Sequence, residues 1–484
     1  MADPAERVAP ASVCHVHSHQ AQGSPGKISS IPAPMHPTLV WFENDLRLHD
    51  HPALEAAARG GAPIVPLFVW NGGDGWGKGA ASQWWLHHSL VAFSDSLADV
   101  GLSLVVRRGD PETIVPEVAR SINAGLVTWL ERPDTARAER DSRIEKALEC
   151  PVRRFGGALL HDPEQIRTGS GGPYKVFTPF YRKFAEEVAV EKPSGVAPLD
   201  GLESPPSIDS ESIDSLGLLP TIPWDEGLAE CWTPGEAGAR SRLADLELED
   251  YAEERDIPSI EGTSRLSPHL HFGEVSPREV WHVVGNIEPY RRQLVWRDFA
   301  HHLIHHFPET RDRPLRKEFE SFPWRRDDEE LARWQKGQTG YPIVDAGMRQ
   351  LWHTGWMHNR VRMVVASFLT KHLLHTWLDG QAWFEDTLVD ADLANNVFGW
   401  QWAGGCGADA QPFFRIFNPM TQGKKFDPKG AYVRKWVPEL ADLPNKVIHE
   451  PWTADNVPEN YPAPIVDHKE ARERALSAYQ KTRN

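Results

Sequence analysis

The chain has 484 residues, of which 40% are hydrophobic and 25% are charged, so we expect two domains or one large two-lobed domain rather than a single ordinary core. The formal net charge of −16 at first argues against a polyanionic partner such as DNA, because nucleic-acid binders usually carry a basic surface. The chain also holds 20 Trp against 8 Tyr, an excess that indicates a use for indoles.

The N-terminal residues 1–34 are rich in Pro, Ala, Ser and His and lack the apolar core of a signal peptide. We therefore expect a disordered extension there, with Met35 as an alternative start of the chain. No apolar run approaches the roughly 18–20 residues of a membrane span. The four cysteines, Cys14, Cys150, Cys231 and Cys406, lie far apart without a CxxC pair, so no disulfide framework or metal cluster is predicted. These features fit a reducing, cytoplasmic location.

Short β-branched runs alternate with helical stretches over the next part of the chain. The runs are residues 38–42, 64–70, 102–107 and 126–130. The alternation predicts an α/β domain with a parallel, Rossmann-like sheet over residues 35–165. No GxGxxG follows the first run, where residues 43–47 read ENDLR, so any dinucleotide is expected to bind elsewhere.

Residues 166–235 are dense in Pro, Gly and Ser, which is typical of a connector. Beyond it, amphipathic patterns such as residues 294–306, 343–356 and 357–375 predict an all-helical domain over residues 236–484.

Charge is unevenly distributed along the chain. Residues 200–260 hold 16 acidic residues against 3 Arg, a balance of −13, whereas residues 411–440 hold 6 basic residues against 2 acidic ones, a balance of +4. The net charge therefore hides a basic patch. A patch of that size is ordinary solvated surface about as often as it is a binding surface.

Two stretches of the second domain carry groups that suit a phosphate or a flat ring. Residues 261–267, preceded by Tyr251, form a hydroxyl-rich turn with one guanidinium, which suits a phosphate but also an ordinary helix cap. On a helix, Asn359 and Met363 share one face while Arg360 points elsewhere. They could line a heterocycle pocket and leave Arg360 free to meet a phosphate, or they could be a helix with a mixed face.

The third polar stretch is residues 390–396, followed by GWQW at residues 399–402. Its two Asp and two Asn can hydrogen-bond ring edges and sugar-like hydroxyls, and Arg362 could offset the charge of Asp390. A solvated helix end is the alternative.

These stretches, together with residues 412–419, resemble the photolyase/cryptochrome family over roughly residues 36–484. The segments EGTSRLS, WMHNRVRM and GWQW followed by FRIFNP stand in the family's order. The resemblance implies an α/β antenna domain and a helical domain that binds FAD. It also implies light-driven repair of cyclobutane pyrimidine dimers, in which excited reduced FAD gives an electron to the dimer and receives it back.

The resemblance assigns roles residue by residue. FAD would be held by Tyr251, Thr263, Ser264, Arg265, Leu266, Ser267, Arg362, Asp390, Ala391, Asp392 and Asn396, with Asn396 near flavin N5. Electrons would reach the flavin through Trp400, Trp377 and Trp324. Damaged DNA would be contacted by Gln293, Trp296, Asn359, Arg360, Met363, Trp402, Arg415 and Gln422. Trp296 and Trp402 would stack on the flipped dimer, and the acidic residues 200–260 would lie away from the DNA.

Two positions depart from the family pattern. Gln293 replaces a Glu usual in cyclobutane-dimer photolyases and cannot supply a carboxyl proton or a negative charge. A Gln at this position is more typical of six-four photolyases, but those enzymes carry a His pair where Asn359 and Met363 stand. Glu43 replaces an Arg usual in the first-strand segment, so a second, antenna chromophore stays unassigned between folate, deazaflavin and none.

The histidines of residues 301–306 raise the question of a metal, because His residues one helical turn apart can share a zinc ion. No carboxylate is suitably spaced beside them, so we expect no metal site, and we read His15, His17 and His19 as part of a solvated tail. We expect a monomer that acts on damaged DNA. The alternative functions are a cryptochrome-type photoreceptor, a six-four photolyase and an inactive flavin-binding DNA module.

Overall fold

The computed structural model describes residues 35–72, 79–202, 204–205, 208–410 and 414–482. The expected extension over residues 1–34, with Cys14 and the three tail histidines, lies outside the described residues, as do residues 411–413 of the basic run. Within the described ranges, no helix is long and apolar enough to cross a membrane.

The first part of the chain forms one sheet of five parallel strands. These are β1 Thr38–Phe42, β2 Ile64–Trp70, β3 Val105–Arg108, β4 Leu126–Leu130 and β5 Val152–Phe155. Their order is β3-β2-β1-β4-β5, which is the arrangement of doubly wound α/β folds and confirms the predicted fold class. The structure corrects two details: β3 begins later than predicted, and β5 was missed because its VRRF sequence is short and only half-buried.

Helices cover both faces of this sheet. They are α1 Pro52–Arg59, α2 Ala80–Asp99, α3 Pro111–Ser121 and α4 Thr135–Ala147. Val40 packs into a core on one face, while Leu39 and Trp41 pack into a second core on the other. Burial on both faces explains why β1 and β2 are continuous apolar runs rather than alternating ones.

The rest of the described chain is helical and adds no strand to the sheet, as predicted for the second domain. Its α-helices are α5 Phe177–Glu187, α6 Glu226–Cys231, α7 Glu236–Ala244, α8 Tyr251–Glu254, α9 Ser267–His271, α10 Pro277–Val283, α11 Glu288–His306, α12 Asp328–Gln335, α13 Pro342–Thr354, α14 Asn359–Ser367, α15 Trp377–Thr387, α16 Leu393–Gly404, α17 Pro419–Phe426, α18 Ala431–Trp436 and α19 His468–Lys481. A π-helical turn, Phe368–His372, continues α14. The predicted connector contains α5 and α6 and is therefore not all loop, while the domain boundaries stay predictions.

The ENDLR segment after β1 docks onto the helical part of the chain. The N–H of Leu46 donates to the carbonyl of Phe272 over 3.3 Å, and the buried Arg47 donates to the carbonyl of Gly273 over 2.9 Å. A side chain at Gly273 would collide with the carbonyl of Asn44, at 2.1 Å, and the φ of +64° also favours glycine. Where a dinucleotide fingerprint would stand, this segment instead positions the end of α9.

Glu43, the other departure from the family pattern, has a partner inside the α/β domain. Arg140 donates to both of its carboxylate oxygens over 2.8 Å. Burial alone would raise the pKa of Glu43, but the guanidinium groups of Arg140 and Arg137 hold it at about 2. Glu43 is thus a fixed anion that pairs within its own domain.

Candidate cofactor and nucleic-acid site

The hydroxyl-rich turn before α9 is held by contacts from other helices. Ser264 Oγ accepts a hydrogen bond from the Tyr290 hydroxyl over 2.6 Å, and the Tyr290 ring lies 5.0 Å from that of Tyr251. Arg265 has a φ of +51°, an uncommon conformation for a residue with a side chain. Ser267 Oγ accepts from Nε1 of Trp356 over 3.3 Å, so the turn is tied to the segment that precedes α14.

Trp356 connects this turn to the Asp-rich stretch. The Arg265 guanidinium lies 5.1 Å from the Trp356 ring, and that of Arg362 lies 5.9 Å from it. Arg362 donates to both oxygens of Asp390, over 2.8 and 3.0 Å, and to the carbonyl of Met357 over 2.7 Å. The predicted pairing of Arg362 with Asp390 is present, and two stretches more than 100 residues apart form one polar cluster.

Asp392 is the N-cap of α16 and lies beside two histidines. Its Oδ1 accepts from the backbone N–H of Asn395 over 2.9 Å, while its Oδ2 lies 3.3 Å from Nε2 of His301 and 4.0 Å from Nδ1 of His271. Burial alone would raise the pKa of Asp392, but His301 and the groups around it hold that pKa well below its usual range. Burial lowers the pKa of His271 to about 4. Asp392 is therefore a buried anion beside the uncharged imidazole of His271.

The cluster has unmet hydrogen-bonding capacity of the kind that FAD can satisfy. Within the described chain, Nε2 of His271, Nδ1 of His301 and Oε1 of Gln381 are buried without a hydrogen-bond partner. Gln381 also uses its backbone carbonyl to accept from Asn396 over 3.1 Å. Leaving such atoms unpaired costs about 1–3 kcal/mol each. Hydroxyl, carbonyl and ring-nitrogen groups of FAD can pair with them, so the donor set fits the cofactor that the resemblance implies.

Of the other predicted FAD residues, Leu266 and Ala391 are buried and Thr263 is half-buried. Sequence reasoning missed several members of the cluster, namely Trp356, Tyr290, His271 and Gln381. Trp356 opens the WMHNRVRM segment and could have been included on that signal. Tyr290, His271 and Gln381 are brought into the cluster by the tertiary fold, and none of them belongs to a local sequence motif.

The three tryptophans predicted to carry electrons all lie in or against the core of the helical domain. Trp400 and Trp377 are buried, whereas Trp324 is half-buried with its ring 4.3 Å from that of Phe322. Gly380 makes room for Trp400, because a Cβ there would lie 2.0 Å from the indole. Nε1 of Trp400 is buried without a partner in the described chain. The electron-transfer role of the three indoles stays a prediction.

Trp296, predicted to stack on the lesion, is held between aromatic neighbours. Its ring stacks on that of Phe177 with centroids 3.4 Å apart and 8° between the planes, and it lies 5.7 Å from the ring of Phe398 on α16. One turn earlier on α11, the amide nitrogen of Gln293 donates to the carbonyl of Pro289 over 3.1 Å. Trp296 therefore has a fixed orientation without any ligand.

Arg360 corrects two expectations. It was predicted to be free for a phosphate, but its Nη2 lies 2.6 Å from a carboxylate oxygen of Asp256 and its guanidinium covers the Phe426 ring at 4.4 Å. Asp256 belongs to the acidic residues 200–260, so that stretch is not wholly separate from the predicted DNA contacts. Any phosphate would compete with this carboxylate for Arg360.

The remaining predicted DNA contacts are spread over several elements. Asn359 and Arg415 are exposed, whereas Met363, Trp402 and Gln422 are half-buried. The backbone carbonyl of Arg415 accepts from Nζ of Lys371 over 2.5 Å. Part of the basic run is used internally, because Lys424 pairs with Glu450 and Arg434 donates to the carbonyls of Ala441 and Leu443. The charge balance of +4 over residues 411–440 therefore overstates the number of basic side chains that are available to a ligand.

Comparisons with known proteins agree with this site. The profile described as "DNA photolyase" matches residues 38–198, and that described as "FAD binding domain of DNA photolyase" matches residues 290–481. A deoxyribodipyrimidine photo-lyase of Agrobacterium fabrum is 47% identical over 469 residues, covering 92% of this chain and 97% of that protein. Cryptochrome-1 of Arabidopsis thaliana is 36% identical over 482 residues, and the match covers 91% of this chain and 70% of that protein.

Among solved structures, a bacterial class III photolyase from Agrobacterium tumefaciens superposes with a TM-score of 0.90 at 45% sequence identity. The match covers 95% of this chain and 100% of that chain. Similarity therefore extends across both the sheet and the helical part.

Proposed function

Because the chain belongs to the photolyase/cryptochrome family, we propose that it repairs cyclobutane pyrimidine dimers in DNA with the energy of blue light. It is an enzyme of the photo-lyase class whose helical domain binds FAD, and the family acts on damaged DNA. Bound FAD supplies the light-driven electron transfer that opens the dimer. The protein binds, orients and shields the reactants.

For the cofactor, we assign the polar cluster around Trp356. The hydroxyls of Ser264 and Ser267 and the Arg265 guanidinium suit phosphate oxygens. Asp390 and Asp392 suit the hydroxyl and ring N–H donors of FAD, and Asn396 lies in the first turns of α16 beside Gln381. Tyr251, Thr263, Leu266, Arg362 and Ala391 complete the assignment. Trp400, Trp377 and Trp324 are proposed to return electrons to the cofactor.

The observation that carries the proposal is the rigid aromatic platform at Trp296. Phe177 fixes one face of its indole, and Phe398 packs against it from α16, the helix that also bears Asn396 and Trp402. A pre-oriented indole can stack on an extruded base at little entropic cost, and such stacking is worth about 1–3 kcal/mol per base. The helix α16 therefore links the aromatic platform to the polar cluster.

Beside the platform, Gln293, Asn359 and Met363 are proposed to meet the lesion, and Arg360, Arg415 and Gln422 its phosphates. Asn359 and Met363 support the cyclobutane dimer over the six-four lesion, because neither side chain can exchange a proton near neutral pH as a His can. A six-four photolyase and a cryptochrome-type photoreceptor stay the alternatives. The antenna chromophore, the monomeric state and the cytoplasmic location stay predictions.

A repair assay tests the proposal. Purified, photoreduced protein is incubated with an oligonucleotide that holds one defined lesion, in blue light and in darkness. We expect light-dependent loss of the cyclobutane dimer and none of the six-four lesion. No repair, or repair of the six-four lesion alone, would refute it. Gln293→Glu, which restores a carboxylate of the same length, tests whether that departure limits the repair yield.

A further inference from the structure

Two histidines at the C-terminal end of α11 meet a carboxylate that sequence spacing did not reveal. Nε2 of His305 lies 2.8 Å from Oε1 of Glu164, and Nδ1 of His306 lies 3.8 Å from the same oxygen. Glu164 comes from a loop 141 residues before His305. One atom from each of the three residues lies within 4.8 Å of the others, so the fold assembles a set of ligands that the helix alone lacks.

Backbone carbonyls decide which nitrogen of each imidazole carries a proton. Nδ1 of His305 faces the carbonyl of Pro133 at 2.8 Å, and Nε2 of His306 faces that of Pro163 at 3.1 Å. A carbonyl can only accept, so each of these nitrogens is the protonated one. In the neutral rings, the opposite nitrogens, Nε2 of His305 and Nδ1 of His306, therefore present lone pairs toward Glu164.

Three electron-pair donors that face one another at such distances repel unless a cation, either a proton or a metal ion, lies between them. We propose that Glu164, His305 and His306 bind one divalent transition-metal ion of the Zn²⁺ type, with water completing its coordination. Ligands held at about 2.0–2.1 Å in tetrahedral geometry stand roughly 3.3 Å apart, a value that lies between the 2.8 and 3.8 Å that separate Oε1 of Glu164 from the two imidazole nitrogens. The Glu164 side chain is 53% exposed and can adjust. Histidine ligands whose other nitrogen donates to a carbonyl are the usual arrangement in metal sites.

Neighbouring groups define the site further. Arg167 pairs with Oε2 of Glu164 and leaves Oε1 for the metal, although its positive charge is expected to weaken the binding of a cation. His302 is not a ligand, because its Nδ1 faces the carbonyl of Pro163 and its Nε2 accepts from the N–H of Tyr174. The ion would join the loop around Glu164 to the end of α11, the helix that carries Gln293 and Trp296. Metal binding would therefore stabilise α11. This effect does not depend on whether the protein repairs DNA.

Calorimetric titration of the EDTA-treated full-length protein with Zn²⁺ alone tests the site. We expect one ion bound per chain through these residues and a rise in Tm of roughly 2–4 °C at saturating Zn²⁺. His305→Ala and the isosteric Glu164→Gln should each weaken this binding at least tenfold. Because Glu164 is exposed, Glu164→Gln stays informative if His305→Ala fails to fold.

Two control variants separate this site from other histidines. His353 and Glu230 form an exposed pair 4.0 Å apart, and no third ligand joins them among the described residues, so His353→Ala should bind Zn²⁺ as the wild type does. A variant with His15, His17 and His19 replaced by Ala should also keep the binding. Zn²⁺ binding that survives both Glu164→Gln and His305→Ala, or that vanishes with the tail histidines, would overturn the proposal, as would no binding at all. The contact would then be only an ion pair with a protonated His305.

Discussion

Two arginines of α14 stand two positions apart and serve different sides of the helix. Arg362 makes a two-pronged contact with Asp390, whose side chain is 4% exposed, and lies against Trp356. Arg360 makes a single contact with Asp256, which is 34% exposed, and lies over Phe426. Residues two apart on a helix point about 200° away from each other. A single helix therefore presents one guanidinium to the polar cluster proposed for the cofactor and the other to the predicted DNA surface.

The two ion pairs should differ in energy as well as in position. The two arginines are similarly exposed, at 23% for Arg362 and 21% for Arg360, so the difference lies in the carboxylates, of which Asp390 is 4% and Asp256 34% exposed. Breaking a fully buried pair costs about 3–5 kcal/mol and a fully exposed pair contributes about 0–1 kcal/mol, so we expect the pair with the buried carboxylate to contribute more. We infer that the Arg362–Asp390 pair is structural and that the Arg360–Asp256 pair is exchangeable, so that a DNA phosphate can replace Asp256.

The largest effect is expected for Asp390→Asn. The Asp390 carboxylate is 4% exposed and both of its oxygens accept from Arg362, so we expect its replacement by an amide to cost about 2–4 kcal/mol in the free energy of unfolding and to lower the FAD content. Urea denaturation and flavin absorbance measure the two quantities. Asp256→Asn is the matched control and should cost less, about 0–1 kcal/mol, because Asp256 is 34% exposed. Equal losses in both variants would contradict the distinction.

The next effect concerns pH and the residue that caps α14. Nδ1 of the buried His358 accepts from the N–H of Arg360 over 3.2 Å, and burial lowers the pKa of His358 from 6.5 to about 4. Between these values the unfolded chain binds a proton that the folded chain refuses, so stability falls as the pH drops from 6.5 to 4. His358→Asn keeps a capping oxygen and does not titrate.

We therefore expect the stability of His358→Asn to fall less over that pH range, by on the order of 2–3 kcal/mol at pH 4. Urea denaturation at a series of pH values measures the difference between the two curves. Parallel curves for the variant and the wild type would show that the cap does not titrate as described.

A smaller effect is expected for Arg360→Gln, measured as affinity for an oligonucleotide that contains a dimer. Losing one phosphate contact should weaken binding about three- to tenfold and reduce the slope of log K against log salt by about 1. Arg326→Gln removes the same charge from another surface Arg–Asp pair and serves as the control. If both variants lose affinity equally, Arg360 contributes only its overall charge.

The smallest effect is expected for Asp256→Asn in the same assay. Removing the competing carboxylate frees Arg360, so affinity for DNA should rise about two- to threefold. A fall in affinity would show that Asp256 positions Arg360 for DNA rather than competing with it.

Local patterns predicted much of the fold. The runs of β1, β2 and β4 matched the strands residue for residue, because strands buried on both faces are continuous apolar segments. The pairing of Arg362 with Asp390 was also anticipated. What failed was long-range: Asp256 reaching Arg360 and Glu164 reaching His305 join residues more than 100 positions apart. Charge counts along the chain carry no information about such pairings.

The most direct test compares Arg360→Gln and Arg362→Gln in one light-driven repair assay on a cyclobutane-dimer oligonucleotide, with flavin content measured on the same samples. We predict that Arg360→Gln keeps its FAD and repairs the dimer at saturating DNA, with only its half-saturating DNA concentration raised. Arg362→Gln should lose FAD and repair together. Loss of FAD in Arg360→Gln, or full repair by Arg362→Gln, would contradict the division between the two sides of α14.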